Sequence, residues 1–282
     1  MRGQGQCQAK WLVQARASQA LRASGLIVLT FGGSGNAAGD VFELDLSTWT
    51  TRLVRSDMQP RNNSVAGHWK GLTIIAGGED VPLLYDGQTF YFCGGANEAR
   101  VLSKACYVYS FDRNTWSRLA FDMPTAKLYA ASAVHEDSLY IMGGSRNGGR
   151  DGGLLQFNTT ANEWTILASI PDNPLKIIHS AAAHISTENG SHILMCGGQG
   201  VAIDKLHSTF ACERYNIAND SWNTGGILTR LQERRHSLQM VNCDGTTLAI
   251  GGACMTTLGY KCPQHSGKSV EVSGPRIDRV TH

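Results

Sequence analysis

Short apolar runs that end in a glycine doublet recur along this chain. Five of them end at Gly32–Gly33, Gly94–Gly95, Gly143–Gly144, Gly197–Gly198 and Gly251–Gly252. The first four are followed by an aromatic residue and, seven positions later, by a tryptophan: Phe42 and Trp49, Tyr109 and Trp116, Phe157 and Trp164, Tyr215 and Trp222. A motif that returns at intervals of 49 to 54 residues from Gly95 onward predicts an array of similar supersecondary units.

Each unit contains several short strand-like segments and no helical period. In the unit from His179 to Trp222, apolar segments lie at 179–184, 192–195, 210–215 and 221–222, and Asn189-Gly190 provides a hairpin turn signal between the first two. Four antiparallel strands that are repeated radially form the blades of an all-β propeller. The sequence therefore predicts glycines at crowded strand ends and aromatic rings packed between neighbouring blades.

These residues resemble the kelch repeat, in which an apolar run ends in Gly-Gly and is followed by a tyrosine-containing turn and a tryptophan. The closest segments are 109–116 and 213–222, and Arg234-Arg235-His236-Ser237 is similar to the start of the family's first strand. The resemblance covers roughly residues 23–274. It implies a kelch-type β-propeller with five or six recognisable four-stranded blades, and an incomplete ring remains an alternative because the family usually has six or seven.

The pattern breaks in two places. A sixth doublet, Gly77–Gly78, lies only 17 residues before Gly95, so it marks either a degenerate blade or an inner strand of the next one. The last unit has a third strand near residues 268–272 and no tryptophan strand after it. We therefore divide the chain into an N-terminal segment 1–22, whose Trp11 strand would close the ring, and a propeller 23–282; the rival interpretation of Trp11 is the remnant of a missing blade.

Composition excludes several classes of protein. The 25 basic and 23 acidic residues form no basic stripe, which argues against nucleic acid as a partner. The chain has no run of 18 apolar residues, so no membrane span is predicted, and no apolar signal-peptide core follows the start.

Cysteines occupy repeated positions around two of the doublets. Cys93 and Cys106 lie at the end of the second strand and the start of the third strand of one unit, and Cys196 and Cys212 repeat this arrangement in another. Because these positions are adjacent across antiparallel strands, they predict two disulfides, with Cys254 and Cys262 as a third candidate pair. Buried free thiols of a cytosolic protein are the alternative, and Cys262 to His265 lacks the second ligand pair that a zinc site needs.

Four Asn-x-Ser/Thr sequons are candidate glycosylation sites: Asn62, Asn158, Asn189 and Asn219. The last three lie in predicted turns that share one face of a propeller. Together with the cysteine pairs, they favour a secreted or lumenal protein over a cytoplasmic one, although no signal peptide accompanies them.

The opposite face carries longer loops with charged residues, which we predict to contact a protein partner of unknown identity. The candidates are Glu98, Arg100, Arg146, Arg150, Asp204, Lys205 and His207. Arginines suit carboxylate recognition through paired hydrogen bonds, and loops that are closed by disulfides lose less entropy on binding.

No motif identifies an enzyme. Galactose-oxidase-like copper enzymes resemble this chain in fold, but no spacing brings their ligands together, and no phosphate loop or nucleophile elbow occurs. The sequence therefore predicts a non-catalytic protein–protein interaction module without a cofactor or metal, extracellular or lumenal. The alternatives are a cytosolic kelch adaptor, such as the substrate receptor of a ubiquitin ligase, and a galactose-oxidase-like enzyme.

Overall fold

The computed structural model describes the middle of the chain most fully. It gives the backbone of residues 89–97, 99–110, 112–146, 149–170, 178–202, 205–223, 230–243 and 246–255, together with the strands 20–24, 27–31, 41–45, 50–55, 64–69, 72–77, 83–85, 270–273 and 277–280. Side chains are described chiefly within residues 89–255. None of the described residues forms a helix with the length and apolarity needed to cross a membrane.

Sheet 1 begins the described chain and is followed by a smaller sheet. The strands of sheet 1 are β1 (Ala20–Ser24), β2 (Ile27–Phe31), β3 (Val41–Asp45) and β4 (Thr50–Arg55), hydrogen-bonded in that order. Sheet 2 is a hairpin of β5 (Ser64–Trp69) and β6 (Leu72–Gly77). Sheet 3 contains β7 (Leu83–Tyr85), β8 (Thr89–Cys93), β9 (Cys106–Ser110) and β10 (Thr115–Arg118).

Sheets 4 and 5 each carry an additional hairpin after the second strand. Sheet 4 contains β11 (Ala131–His135), β12 (Ser138–Met142), β15 (Leu154–Asn158) and β16 (Glu163–Leu167), and its hairpin is β13 (Ser145–Arg146) with β14 (Gly149–Arg150). Sheet 5 contains β17 (Ala181–Thr187), β18 (Gly190–Cys196), β21 (Cys212–Asn216) and β22 (Ser221–Asn223), and its hairpin is β19 (Gln199–Ala202) with β20 (Lys205–Ser208). Sheet 6 contains β23 (Gln239–Cys243), β24 (Thr246–Ile250), β25 (Val270–Ser273) and β26 (Ile277–Val280).

The first strands of the six sheets lie beside one another. β11 contacts β7 and β17, β17 contacts β23, and β1 contacts both β23 and β5. The order around the centre is therefore β7, β11, β17, β23, β1 and β5, so the first and last four-stranded sheets are neighbours. The pairings between the described strands of each sheet are antiparallel, as the periodic pattern predicted. The all-β propeller prediction is confirmed.

The glycine doublets lie close to the backbone of the segments that lead into the first strands. Gly197 and Gly252 have φ angles of +67° and +86°, in the left-handed region. A Cβ on Gly197 would lie 2.6 Å from the carbonyl oxygen of Arg235, just before the first strand of the next sheet, and a Cβ on Gly252 would lie 2.7 Å from that of His236. The second glycine also anchors the neighbouring sheet, because the Gly198 N–H donates to the Arg235 carbonyl at 2.8 Å. Backbone conformation and space therefore both require glycine.

The predicted aromatic packing between sheets is confirmed for two of the tryptophans. Trp164 packs against Phe157 with ring centroids 4.9 Å apart, beside the core between sheets 3 and 4, and Trp222 packs against Tyr215 at 5.3 Å, beside the core between sheets 4 and 5. Each indole N–H also reaches a carbonyl preceding its own sheet: Trp222 donates to Ala168 at 2.7 Å. Trp116 is 58% exposed.

Three boundaries differ from the sequence analysis. β6 pairs with β5 in a sheet of its own, and β7 supplies the first strand of sheet 3, so of the two interpretations of Gly77–Gly78 the degenerate blade fits the structure. The fourth strand of sheet 6 is β26, which pairs with β25 in the position that we had assigned to the Trp11 strand. β1 spans the predicted boundary between residues 22 and 23, and Trp11 itself lies outside the described residues.

Candidate functional site

The antiparallel order of the strands places two kinds of loop on one face of the molecule. The loop from the second to the third strand and the segment that leads into the first strand both lie at the glycine-doublet end of each sheet. We call this end the doublet face. The turns between strands one and two and between strands three and four lie at the other end, which we call the opposite face. The predicted partner-binding loops and the turns that contain Asn158, Asn189 and Asn219 thus fall on different faces.

Two loops of the doublet face are closed at their base by disulfides. Cys93 pairs with Cys106 across β8 and β9, and Cys196 pairs with Cys212 across β18 and β21, as the sequence predicted. The sequence separations are 13 and 16 residues. Cys254 is also disulfide-bonded, and its predicted partner, Cys262, lies outside the described residues. Each described cross-link holds the two strand ends from which a doublet-face loop emerges.

Arg100 projects from a tight turn in the loop of sheet 3. The Asn97 carbonyl accepts the Arg100 N–H at 2.8 Å, and the Asn97 side-chain oxygen accepts the Val101 N–H at 2.9 Å. Arg100 has a φ of 59° and is exposed. These local hydrogen bonds fix the backbone of the turn and leave the arginine at its tip in solvent.

Arg146 projects from the β13–β14 hairpin of sheet 4, above a buried ion pair. The Lys127 ammonium is fully buried and lies 2.8 Å from an Asp151 carboxylate oxygen. Burial lowers the pKa of Lys127, with Asp151 opposing the shift and the charge of Arg146 adding to it. Burial would raise the pKa of Asp151, but the hydrogen bond and charge of Lys127 outweigh burial and hold it below its usual range. Arg146 itself is exposed.

The β19–β20 hairpin of sheet 5 corrects one predicted contact residue. His207 is only 6% exposed, so it cannot be an exposed partner-binding residue as we had predicted. The next residue, Ser208, explains the burial: its N–H donates to the Met255 carbonyl and its hydroxyl accepts the Met255 N–H, both at 2.8 Å. These two bonds draw the hairpin onto the loop of sheet 6.

Three rings form an arc where the first strands begin, and the sequence analysis did not predict it. Tyr129 and His179 have centroids 4.4 Å apart, and His179 and His236 are separated by 6.4 Å. The Tyr129 carbonyl accepts the His179 N–H at 3.1 Å, which ties neighbouring sheets together. The Ser208 hydroxyl lies 2.8 Å from His236 Nδ1, and its oxygen also accepts the Met255 N–H at 2.8 Å. The only sequence signal was the position of these residues just before each first strand.

The structure gives little information on the side chains of the remaining predicted contact residues. Glu98 and Asp204 lie outside the described residues. Arg150 and Lys205 are placed by the backbone in β14 and β20. Their role in partner binding stays a prediction. Within the described residues, no group of three or more histidine, cysteine or acidic side chains could hold a metal ion.

The opposite face carries three of the predicted glycosylation sites. Asn189 and Asn219 are exposed, in the β17–β18 and β21–β22 turns. Asn158 is half-buried, and its side-chain oxygen accepts the N–H groups of Thr160 and Ala161 at 3.0 and 2.7 Å. Asn62 lies outside the described residues. Glycosylation of these asparagines stays a prediction.

A stacked histidine pair joins sheets 4 and 5 near the opposite face. The His135 and His184 rings are 4.1 Å apart and inclined by 17°. Burial lowers the pKa of His184 to about 4, with further contributions from the neighbouring His135 and His192. The imidazole of His184 therefore stays neutral in the folded protein at a pH where the unfolded chain would begin to bind a proton.

We expect this histidine to make the protein sensitive to acid. The stabilisation from neutral His184 is complete above its unfolded pKa of about 6.5 and is lost as the pH falls from there towards 4. The His184→Gln variant should lose less stability than the wild type between pH 7 and pH 5 in urea unfolding. His135→Gln should have an intermediate slope, because the interaction with His135 contributes to the lowered pKa of His184. Equal pH slopes in all three proteins would contradict the assignment.

Comparison with known proteins gives low but extended similarity. The chain is 26% identical over 140 residues to beta-scruin of Limulus polyphemus, 29% over 139 residues to N-acetylneuraminate epimerase of Haemophilus influenzae and 27% over 143 residues to Kelch-like protein 38 of Danio rerio. Each match covers 47–50% of this chain and 13%, 36% and 22% of the respective relative. The chain thus matches only a part of each of these proteins.

A solved structure described as "Structure of YjhT" has the same fold. The TM-score is 0.53 at 16% sequence identity, and the match covers 91% of this chain and 83% of the other. At this identity the likeness establishes the fold alone.

The prediction that the chain is not an enzyme is wrong, because similarity to an enzyme is found. One relative is an enzyme by its name, N-acetylneuraminate epimerase, and its similarity to this chain is of the same order as that of the relatives without an enzyme name. The absence of a recognisable motif failed as an argument because a propeller site is assembled from single residues on separate sheets. Such a site leaves no local spacing in the sequence.

The family itself is established by a longer match. The model of the KLHDC2/KLHL20/DRC7 Kelch-repeats domain matches residues 81–252, which contain sheets 3, 4 and 5 and the doublet of sheet 6. This range is also the part of the chain with the regular doublet and tryptophan spacing. The chain belongs to the kelch-repeat family.

Proposed function

We propose that this protein binds a protein segment through the loops of its doublet face, with Arg100 and Arg146 as contacts to acidic groups of the partner. The kelch propeller fold is consistent with an interaction module. The observation that supports the proposal best is the pair of disulfides, Cys93–Cys106 and Cys196–Cys212, beneath two loops of the same face. A cross-link at the base of a loop restricts it before binding, so less conformational entropy is lost when a partner orders it.

The positions of the two arginines indicate which chemical groups the bound segment should contain. Arg100 lies at the tip of a hydrogen-bonded turn, and Arg146 lies on a two-stranded hairpin, so both backbones are fixed while both side chains are exposed. A guanidinium group can donate two parallel hydrogen bonds to one carboxylate. We therefore expect acidic side chains or a terminal carboxylate in the bound segment.

A displayed library of random peptides tests this proposal. Peptides that are selected on the wild-type protein should be enriched in Asp and Glu. Their affinity should fall at least about tenfold in the Arg100→Ala/Arg146→Ala variant, since a hydrogen bond to a charged group contributes about 1.5 to 3 kcal/mol. The dissociation constants would be measured by calorimetry.

The matched control is Arg113→Ala. Arg113 is also an exposed arginine, but it lies in the β9–β10 turn on the opposite face. Its removal changes the net charge without touching the doublet face, so it should leave peptide affinity unchanged. Equal losses of peptide affinity in the two variants would show that the effect comes from net charge. Selection of peptides that bind both variants as tightly as the wild type would refute the proposal.

A second candidate is catalysis of an epimerisation on a carboxylated sugar, and the Haemophilus influenzae relative favours it. Imidazole is the commonest side chain for proton transfer near neutral pH, and the arc provides His179 and His236 side by side. NMR spectroscopy of N-acetylneuraminate mixed with the protein would show accelerated interconversion of its epimers, and His236→Asn should slow it at least about a hundredfold. An unchanged interconversion rate with wild-type protein would eliminate this candidate.

A further inference from the structure

The segment that leads from sheet 5 into sheet 6 is fastened along the doublet-face loop of sheet 5. Arg230 forms a β-bridge with Ala211, the Leu231 N–H donates to the Phe210 carbonyl at 2.9 Å, and the Arg235 N–H donates to the Thr209 carbonyl at 3.1 Å. Residues 230–235 therefore run antiparallel to 209–211, next to the Cys196–Cys212 disulfide. This attachment fixes the backbone of both segments.

Two arginines of this segment lie over one aromatic ring. The guanidinium carbon of Arg234 is 4.5 Å from the ring centroid of Phe210, and that of Arg230 is 5.4 Å from it. The distance between the two guanidinium carbons is therefore no greater than the sum of these two distances. Leu231 and Arg235 of the same segment are buried, with 6% and 1% exposure. Arg230 is exposed and Arg234 is half-buried, so the outer side of the segment presents guanidinium groups to solvent.

The acid of this segment is engaged by a different arginine. Residues 230–235 contain one acidic side chain, Glu233, and its carboxylate lies 3.3 Å from the buried Arg235 guanidinium. Arg234 in turn donates to the Ser208 carbonyl at 3.3 Å, which orients it beside the Phe210 ring. The segment therefore carries an ion pair between Glu233 and Arg235 and two guanidinium groups against the Phe210 ring.

We propose that Arg230 and Arg234, arranged over Phe210, form a binding site for a carboxylate group. Both guanidinium carbons lie within 5.4 Å of the same ring centroid, and the positive charge of each would attract a carboxylate. Guanidinium groups match the planar geometry of a carboxylate, and cation–π contact with Phe210 orders them before the ligand arrives. The site lies on the doublet face and deepens the proposed function, because it names a recognition point other than Arg100 and Arg146.

The carboxylate can come from a small sugar acid or from an acidic peptide, and two probes separate these sources. We would titrate the protein with N-acetylneuraminate and, separately, with a hexaglutamate peptide, and follow binding by NMR chemical shifts at low and high salt. The site requires at least one probe to bind, with an affinity that decreases as salt increases. Saturation by the sugar acid alone would assign a small-molecule ligand, and saturation by the peptide alone a protein ligand.

Three variants decide whether the arginine pair is responsible. Arg230→Gln/Arg234→Gln should weaken the binding probe at least tenfold, and Phe210→Leu should weaken it by a smaller factor, because the arginines lose the ring that orders them. Arg113→Gln, which removes an exposed arginine on the opposite face, should bind like the wild type.

The same titrations keep this inference separate from the proposed function. Loss of binding in Arg100→Ala/Arg146→Ala but not in Arg230→Gln/Arg234→Gln would support the proposed function and overturn the inference. The converse pattern would confirm the inference and remove Arg100 and Arg146 from the contact surface. Absence of binding by both probes, or equal binding by the wild type and the Arg230→Gln/Arg234→Gln variant, would overturn the inference.

Discussion

Replacing Gly197 by alanine should destabilise the protein by about 2 to 5 kcal/mol, because a left-handed conformation costs an alanine about 1 to 2 kcal/mol and overpacking adds about 1 to 3 kcal/mol. The φ of Gly197 is +67°, and its added Cβ would lie 2.6 Å from the Arg235 carbonyl oxygen and 2.7 Å from a methyl group of Leu238. The carbonyl belongs to the backbone and has little freedom to move. Chemical unfolding in urea would measure the loss.

Substitutions of two other glycines separate the effect of backbone strain from that of close contact with the added Cβ. Gly190→Ala introduces only backbone strain, since Gly190 has a φ of +103° and nothing lies within 4 Å of its added Cβ. Gly152→Ala introduces neither backbone strain nor a close contact, because the nearest atom would lie at an ordinary 3.6 Å from the added Cβ. Its free energy of unfolding should therefore be close to that of the wild type. We expect the order of destabilisation Gly197→Ala, Gly190→Ala, Gly152→Ala. A Gly197→Ala variant as stable as Gly190→Ala would show that the two sheets can move apart at little cost.

Replacing Lys127 by methionine should destabilise the protein by about 3 to 5 kcal/mol, the usual cost of breaking a buried ion pair by removal of one partner. The Lys127 ammonium is fully buried and donates to the Gly143 and Gly153 carbonyls at 3.2 and 2.8 Å as well as to Asp151 at 2.8 Å. The variant leaves Asp151 without its cation and two carbonyls without a donor. Thermal and urea unfolding at neutral pH would measure the effect.

The double variant Lys127→Met/Asp151→Asn tests the electrostatic part of this explanation. It removes the uncompensated carboxylate, so it should be more stable than Lys127→Met alone. Arg118→Ala is the control for a solvent-exposed pair: Arg118 and Asp122 are 55% and 43% exposed, and their loss should change stability by no more than about 1 kcal/mol. If Lys127→Met is no more destabilising than Arg118→Ala, the ion pair is not a structural element of sheet 4.

Lys127 belongs to a repeated arrangement that the sequence conceals. Arg235 occupies the equivalent position before sheet 6, is 1% exposed and donates to the Gly251 carbonyl at 2.9 Å, as Lys127 does to the Gly143 carbonyl. Both residues are basic, and lysine and arginine are rarely buried without a partner. Their partners are carbonyls of glycine doublets and acids that no local spacing identifies, so burial could be recognised only from the folded chain.

The candidate site was predictable in part. Cys196 and Cys212 could be paired from their places at the ends of adjacent strands, and Arg100 and Arg146 could be placed on loops that follow a doublet. The burial of His207 and the grouping of Arg230 and Arg234 over Phe210 could not be predicted, because both depend on contacts between loops of neighbouring sheets.

The sequence by itself determined the repeating unit of this protein. A glycine doublet such as Gly197–Gly198 and a ring pair such as Tyr215 and Trp222 report local requirements, a left-handed backbone and a cross-strand contact, that act within one sheet and its neighbour. Only the tertiary structure decided which sheets meet, since β1 contacts β23 although more than 200 residues separate them. It also decided that β26 completes the last sheet and which side chains converge on the doublet face. The physical reason is that these contacts join distant parts of the chain, where only the packing of all sheets around one centre selects the partner.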